Sequence, residues 1–169
     1  RVLLRLGVPG AWLAAAVFAL HPVHVESVAW ITERKNVLSG FFYLWAVWAY
    51  LCFLPIDRFE AIGSRRDSFR YYWLAWLAFI AALLSKTVTA SLPAALLLIT
   101  WWKRRSIQWR DAVCLGPMLV VGIVMGLTTA YLEKVHVGAQ GVDWSLSFVE
   151  RFLVAGRALW FYAGKLMWP

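Results

Sequence analysis

A chain of 169 residues is long enough for one soluble domain, but 62% of this one is hydrophobic and only 15% charged, where soluble domains carry roughly 25% charge. With 12 Trp, 10 Phe and 6 Tyr among long apolar runs, a water-facing surface would be greasy, so lipid is the solvent that fits. A disordered segment, a disulfide scaffold and a nucleic-acid module are all disfavoured, because 2 Cys and a net charge of +8 spread between apolar runs supply neither staples nor a basic face.

In chain order the apolar runs are 8–20, 37–54, 71–84, 88–102 and 113–132, followed by a mixed stretch at 146–168. They predict an all-α, polytopic membrane bundle of about five transmembrane helices plus one interfacial amphipathic helix. A crossing of ~30 Å takes about 20 helical residues, which the second and fifth runs approach. The first run can extend back past Arg5, whose side chain snorkels, but it stops at His21-Pro22. The third and fourth are short arms around Ser85-Lys86-Thr87, each reaching only about 21 to 23 Å, so their polar tip falls below the membrane surface.

Sidedness follows from counting Lys and Arg in short loops. Arg1, Arg5, Arg58, Arg65, Arg66, Arg70, Lys103, Arg104, Arg105 and Arg110 fall in one set of loops, ten of the 17 bases. That set is assigned to the cytoplasm. Residues 21–36, the Lys86 turn and residues 133–145 then face outward together and outline one site. Ser64-Arg65-Arg66 and Lys103-Arg104-Arg105 are read as topology anchors. Cys52 and Cys114, near the cytoplasmic ends of their spans, are packing residues. Gly122 and Gly126, with Gly116 before them, offer a close-packing helix face, for an internal contact in preference to a dimer.

Four features could carry chemistry. In His21-Pro22-Val23-His24-Val25-Glu26 the proline breaks the helix at a membrane edge and leaves two histidines and a carboxylate beside freed carbonyls, either as an interfacial turn or as functional groups. The spacing is not that of a zinc helix, so no metal site is assigned. Glu33-Arg34-Lys35-Asn36 opens the second span with paired bases on the outward side, as a solvated terminus or as an anion pocket. Lys86 is the one charge between Tyr71 and Trp102, with the hydroxyls of Ser85, Thr87 and Thr89 beside it, and it could hold a lipid-linked phosphate. Finally, Glu150, Arg151, Arg157 and Lys165 recur among aromatic residues, as expected of an interfacial helix walling the outward site or of a span with a polar, bundle-facing stripe.

The run FALHPVHVESVAWITERKNVLSGFFYLWAVWAYL, then LLSKTVTASLPAALLLITWW, then RALWFYAGKLMWP resembles the membrane region of bacterial proteins with C-terminal tetratricopeptide repeats, related to the transmembrane and tetratricopeptide-repeat O-mannosyltransferases. The likeness covers nearly the whole chain and is most specific in the first run. It implies a GT-C fold in the bacterial inner membrane, acting from a polyprenyl-phosphate sugar on a protein acceptor at the extracytoplasmic side. It also implies His21, His24 and Glu26 as catalytic candidates, and Arg34, Lys35 and Lys86 as donor phosphate-binding residues. The main catalytic acid would precede Arg1 and the repeats would follow Pro169, so residues 1–169 are expected to be a single transmembrane domain cut from a longer protein.

The expected function is therefore transfer of a sugar, mannose foremost, from polyprenyl phosphate to a protein hydroxyl. Glu26 is the best local base if the upstream acid is not used. No cofactor is required by the residues, and a divalent metal is left open. Two other classes compete: a transporter or flippase for an anionic lipid or solute, and a non-catalytic membrane anchor of a repeat protein.

Overall fold

The computed structural model describes residues 1–54, 65–136 and 147–167. Among them all regular structure is helical: α1 (Val2–Arg5), α2 (Ala11–Leu20), α3 (Val25–Ala29), α4 (Arg34–Phe53), α5 (Arg65–Ser85), α6 (Leu92–Arg104), α7 (Trp109–His136) and α8 (Phe148–Met167), with 3-10 turns at Pro22–His24, Ile31–Glu33 and Thr87–Ser91. Arg58, Ser64 and residues 137–146 of the expected outward connection lie outside the described residues, as do the side chains of Glu26, Arg65 and Arg66.

Local chemistry sets the breaks. Gly7 and Gly10 take φ of +64° and +74°, a left-handed backbone that turns α1 into α2. His21 is extended at ψ 129°, the conformation a following proline imposes, and α2 ends there. Pro93 sits in the first turn of α6, where its missing N–H is not needed. Between α6 and α7, Arg105 adopts φ 57°. Asp111, 3% exposed, accepts from the Gln108 N–H at 3.0 Å and pairs with Arg104 at 3.2 Å. Arg104 is thus a half-buried partner in an ion pair that closes the α6–α7 turn, a role beyond that of a topology anchor.

The centre of the fold is the α4–α5 pair. Phe53 meets Tyr72 with ring centroids 5.1 Å apart at one end, and Lys86 meets Asn36 at the other, so the two helices are antiparallel. Ala46 and Ala49 on α4, and Ala75, Ala78 and Ala82 on α5, are 0 to 5% exposed, so small side chains let the two backbones approach. Tyr50, Phe79, Leu92, Leu96, Leu115 and Met118 fill the core around them. The Tyr72 hydroxyl donates to the Cys114 carbonyl at 2.9 Å, and Lys103 donates to the Leu6 carbonyl, which puts the start of α7, the end of α6 and α1 at the Phe53 end.

The Thr87–Ser91 turn packs on α7. A Cβ added to Gly122 would lie 3.0 Å from the Ala90 carbonyl oxygen, so this close approach requires glycine. Gly116 and Gly126 would meet nothing within 4 Å, which narrows the expected glycine face to Gly122 alone. Gly122 lies near the middle of α7, with roughly 20 Å of helix on either side of it. The end of α7 therefore projects well past the Ala90 side of the Lys86 turn.

Against an expectation of about five spans, two described helical stretches are long and apolar enough to cross a membrane, Ile31–Phe53 and Trp109–Val135. Only 33% and 17% of their apolar windows are buried, which is unlike the core helix of a soluble fold. Ala11–Leu20 and Phe69–Ser85 are apolar but shorter, because Pro22 halts the first and basic residues occupy the opening turn of α5. The 88–102 arm loses its first residues to the 3-10 turn and leaves only Leu92–Arg104 as helix. Ala11 is the one buried residue of α2, and α8 is exposed along nearly all its described length.

Candidate functional site

Three segments, α3, the start of α4 and the turn at Lys86 some 50 residues later, meet at the Lys86 end of the α4–α5 pair. Asn36, in the first turn of α4, is the hub. Its Oδ1 accepts from Lys86 Nζ at 2.5 Å, while its Nδ2 donates to Glu33 Oε2 at 2.6 Å and reaches Ser27 Oγ of α3 at 3.4 Å. The amide orientation follows from chemistry: the carboxylate can only accept and the ammonium can only donate, so a flipped amide would set NH2 against NH3+. Lys86 itself is extended, at φ −161° and ψ 124°, and this breaks α5 from the 3-10 turn that follows.

Beside this hub lies an open cleft of about 270 Å3, lined by Asn36, Ser39, Gly40, Tyr43, Lys86, Val88, Thr89 and Ser91. The Ser and Thr hydroxyls of this lining are committed to nearby backbone. Ser39 donates to the Asn36 carbonyl at 3.0 Å, Thr89 to the Lys86 carbonyl at 2.7 Å and Ser91 to the Val88 carbonyl at 3.2 Å. A hydroxyl has one proton, so these three offer the cleft lone pairs. Lys86 keeps two further N–H groups after the Asn36 bond. The cleft thus combines cationic donors with hydroxyl acceptors, a pairing suited to a ligand that joins an anionic group to hydroxyl groups of its own.

The expected site residues divide between this cleft and other places. Lys86 lines it, whereas Arg34 and Lys35 are exposed and do not; Lys35 instead lies 3.9 Å from Glu33 Oε1. The reason is helical phase: residues 33, 36, 40 and 43 recur at intervals of three and four and share a face, which 34 and 35 leave. His21 and His24 come together, ring centroids 6.4 Å apart and edge to face, with Phe18 against His24 at 4.3 Å, and neither lines the cleft. The backbone of Glu26 belongs to α3, next to Ser27.

Asn36, Ser39 and Tyr43 are the cleft residues that charge-based reading passes over. Successive steps of three, three and four residues from Glu33 put them on one side of α4, and that periodicity is the signal that finds them. Among the described residues no group of three or more His, Cys, Asp or Glu is placed to hold a metal ion. No protein-family model, no curated protein and no solved structure matches the chain.

Proposed function

We propose that this chain is the central part of a membrane glycosyltransferase of GT-C type, which moves a sugar, mannose foremost, from a polyprenyl phosphate to a protein hydroxyl on the extracytoplasmic side of the bacterial inner membrane. The observation that carries the reading is Lys86, a lysine fixed by Asn36 at a cleft of hydroxyl oxygens between apolar helices. The family resemblance of the three sequence runs supports the same chemistry. The lipid-like exposure of Ile31–Phe53 and Trp109–Val135 supports the membrane setting.

The reaction is displacement at the anomeric carbon. The acceptor oxygen forms a bond to that carbon as the bond to the phosphate oxygen breaks, and the leaving phosphate keeps the electron pair. Lys86 stabilises the charge that grows there. The acceptor proton passes to a carboxylate, an acid upstream of Arg1 or else Glu26. The Ser39, Thr89 and Ser91 oxygens accept from sugar hydroxyls and orient the ring.

The test replaces Lys86 by Met, which keeps length and removes charge. Binding of a polyprenyl-phosphate sugar to the full-length protein in nanodiscs should weaken about ten- to a hundredfold, the value of a charge-assisted contact. Lys86→Arg should keep part of the affinity. Wild-type affinity in Lys86→Met refutes the phosphate role. Glycosyl transfer that survives joint alanine replacement of His21, Glu26 and Lys86 would instead make the chain an anchor, and donor translocation without transfer would make it a flippase.

A further inference from the structure

A second, larger cleft of about 610 Å3 opens at the Phe53 end of the α4–α5 pair. Arg1, Arg5 and Lys103 bring three cationic side chains to it, Trp12 and Trp48 two indoles, and Gly7 its left-handed backbone, and among the described residues no acidic one lines it. We propose that this cleft binds the headgroup of an anionic phospholipid, in the leaflet opposite the Lys86 site. The proposal shares with the glycosyltransferase reading only the placement of the chain in a bilayer.

The geometry has the two halves such a ligand needs. Lys103 donates one N–H to the Leu6 carbonyl, which ties the end of α6 to α1 and keeps the ammonium at the cleft, with two N–H groups left for a phosphate. The Lys103 ammonium also sits 5.1 Å from the Trp102 ring centroid, so an aromatic face steadies its charge. From the cleft rises α2, whose Trp12, Leu13, Val17, Phe18 and Leu20 are 56 to 83% exposed, an apolar track for acyl chains beside a cationic headgroup pocket. A free phosphate would use the cations and leave the indoles and the track unused. Indoles at this level are also what a membrane interface favours. The same end of the fold carries Arg70 and Arg110 near the starts of α5 and α7, so the basic-rich side and the cleft coincide, and anionic lipids gather on the cytoplasmic leaflet that such a side faces.

The experiment measures lipid retention by native mass spectrometry on the full-length protein released from nanodiscs holding equal parts phosphatidylglycerol and phosphatidylcholine. Wild type should keep phosphatidylglycerol in preference by about tenfold, and the pair Arg5→Gln with Lys103→Gln should lose most of that preference. Lys103→Arg, which keeps the charge, should retain it. Millimolar inorganic phosphate should leave the preference unchanged; if it abolishes the preference, the site is one for soluble phosphate and the lipid assignment fails. Equal retention of the two lipids by wild type overturns the proposal. So does full preference in the double variant, which would leave Lys103 only its tie to the Leu6 carbonyl. Lys86→Met should keep the lipid preference, so loss of donor binding and loss of lipid binding are read separately.

Discussion

Asn36→Asp is the substitution that separates an anion-binding cleft from a structural polar cluster. It exchanges Nδ2 for an oxygen and leaves the acceptor of Lys86 in place, 2.5 Å from the ammonium. The tie that holds Lys86 is thereby kept and strengthened. The charge of the Glu33–Asn36–Lys86 cluster falls from zero to minus one, and the new carboxylate faces Glu33 Oε2 across the present 2.6 Å contact. A phosphate on the far side of Lys86 would sit roughly 5 to 6 Å from the added charge, and at an effective dielectric of about 20 to 40 that repulsion is about 1.5 to 3 kcal/mol. Donor binding to the full-length protein in nanodiscs should therefore weaken about ten- to a hundredfold, with normal membrane insertion. Two carboxylates so close compete for one proton, so acidification should restore part of the loss. A purely structural cluster gives the opposite result, since the stronger Lys86 tie should leave donor affinity unchanged or raised. Wild-type affinity in Asn36→Asp would refute the placement of the phosphate at Lys86.

Gly122→Ala should destabilise the fold by about 1 to 3 kcal/mol and weaken donor binding, because its methyl group would push on the Ala90 backbone of the Lys86 turn. Gly126→Ala, with open space around it, should gain about 0.5 to 1 kcal/mol from helix propensity; thermal unfolding of both variants in detergent checks the pair. At the start of α8, Glu150 accepts from the Ser147 N–H at 2.7 Å and its hydroxyl at 2.9 Å, which holds the Glu150 carboxyl below the usual carboxylate range. A depressed acid gives stability present above its unfolded value and lost as pH falls through the folded one, so amide protection at 148–152 should decline on acidification relative to Glu150→Gln at the same pH. In a background without Cys52 and Cys114, cysteine at position 134 should react with an impermeant thiol reagent in intact cells and cysteine at position 105 should not; the reverse pattern would invert the site.

The long helices were legible because their cause is local. Apolar runs as long as 37–54 and 113–132 are what a lipid-crossing helix requires, and α4 and α7 contain them almost entirely. His21-Pro22 marked a real helix end, and Lys86 marked a real polar turn, each by a residue type whose effect does not wait for a partner. Gly122 was legible as a close contact, but Gly126 could not be told from it, since only the Ala90 turn, more than 30 residues earlier, decides which glycine is covered. Arg34 and Lys35 stand out by charge, although the cleft face of α4 passes through 33, 36, 40 and 43. Asp111 carries no signal in the sequence because its worth lies in the pair with Arg104, a fact of the α6–α7 turn and not of its own neighbours.

The choice of an amide at the hub has an electrostatic logic. A glutamate in direct contact with Lys86 would hold the ammonium as firmly, yet it would spend most of that charge on one oxygen about 3 Å away. With Asn36 between them, Glu33 stands one amide group further from Lys86 than a contact partner would, so its attraction is weaker at equal dielectric while the hydrogen bonds at 2.5 and 2.6 Å still fix both side chains. The lysine is held in place by a neutral group and its field stays available to a third partner. A residue wanted only as a buried structural cation would do better with its counter-charge in contact, since an uncompensated charge away from water is costly. The spacing therefore favours a lysine kept ready for an anion that comes and goes, and under the proposed function an arriving phosphate would meet a positive charge that is already ordered.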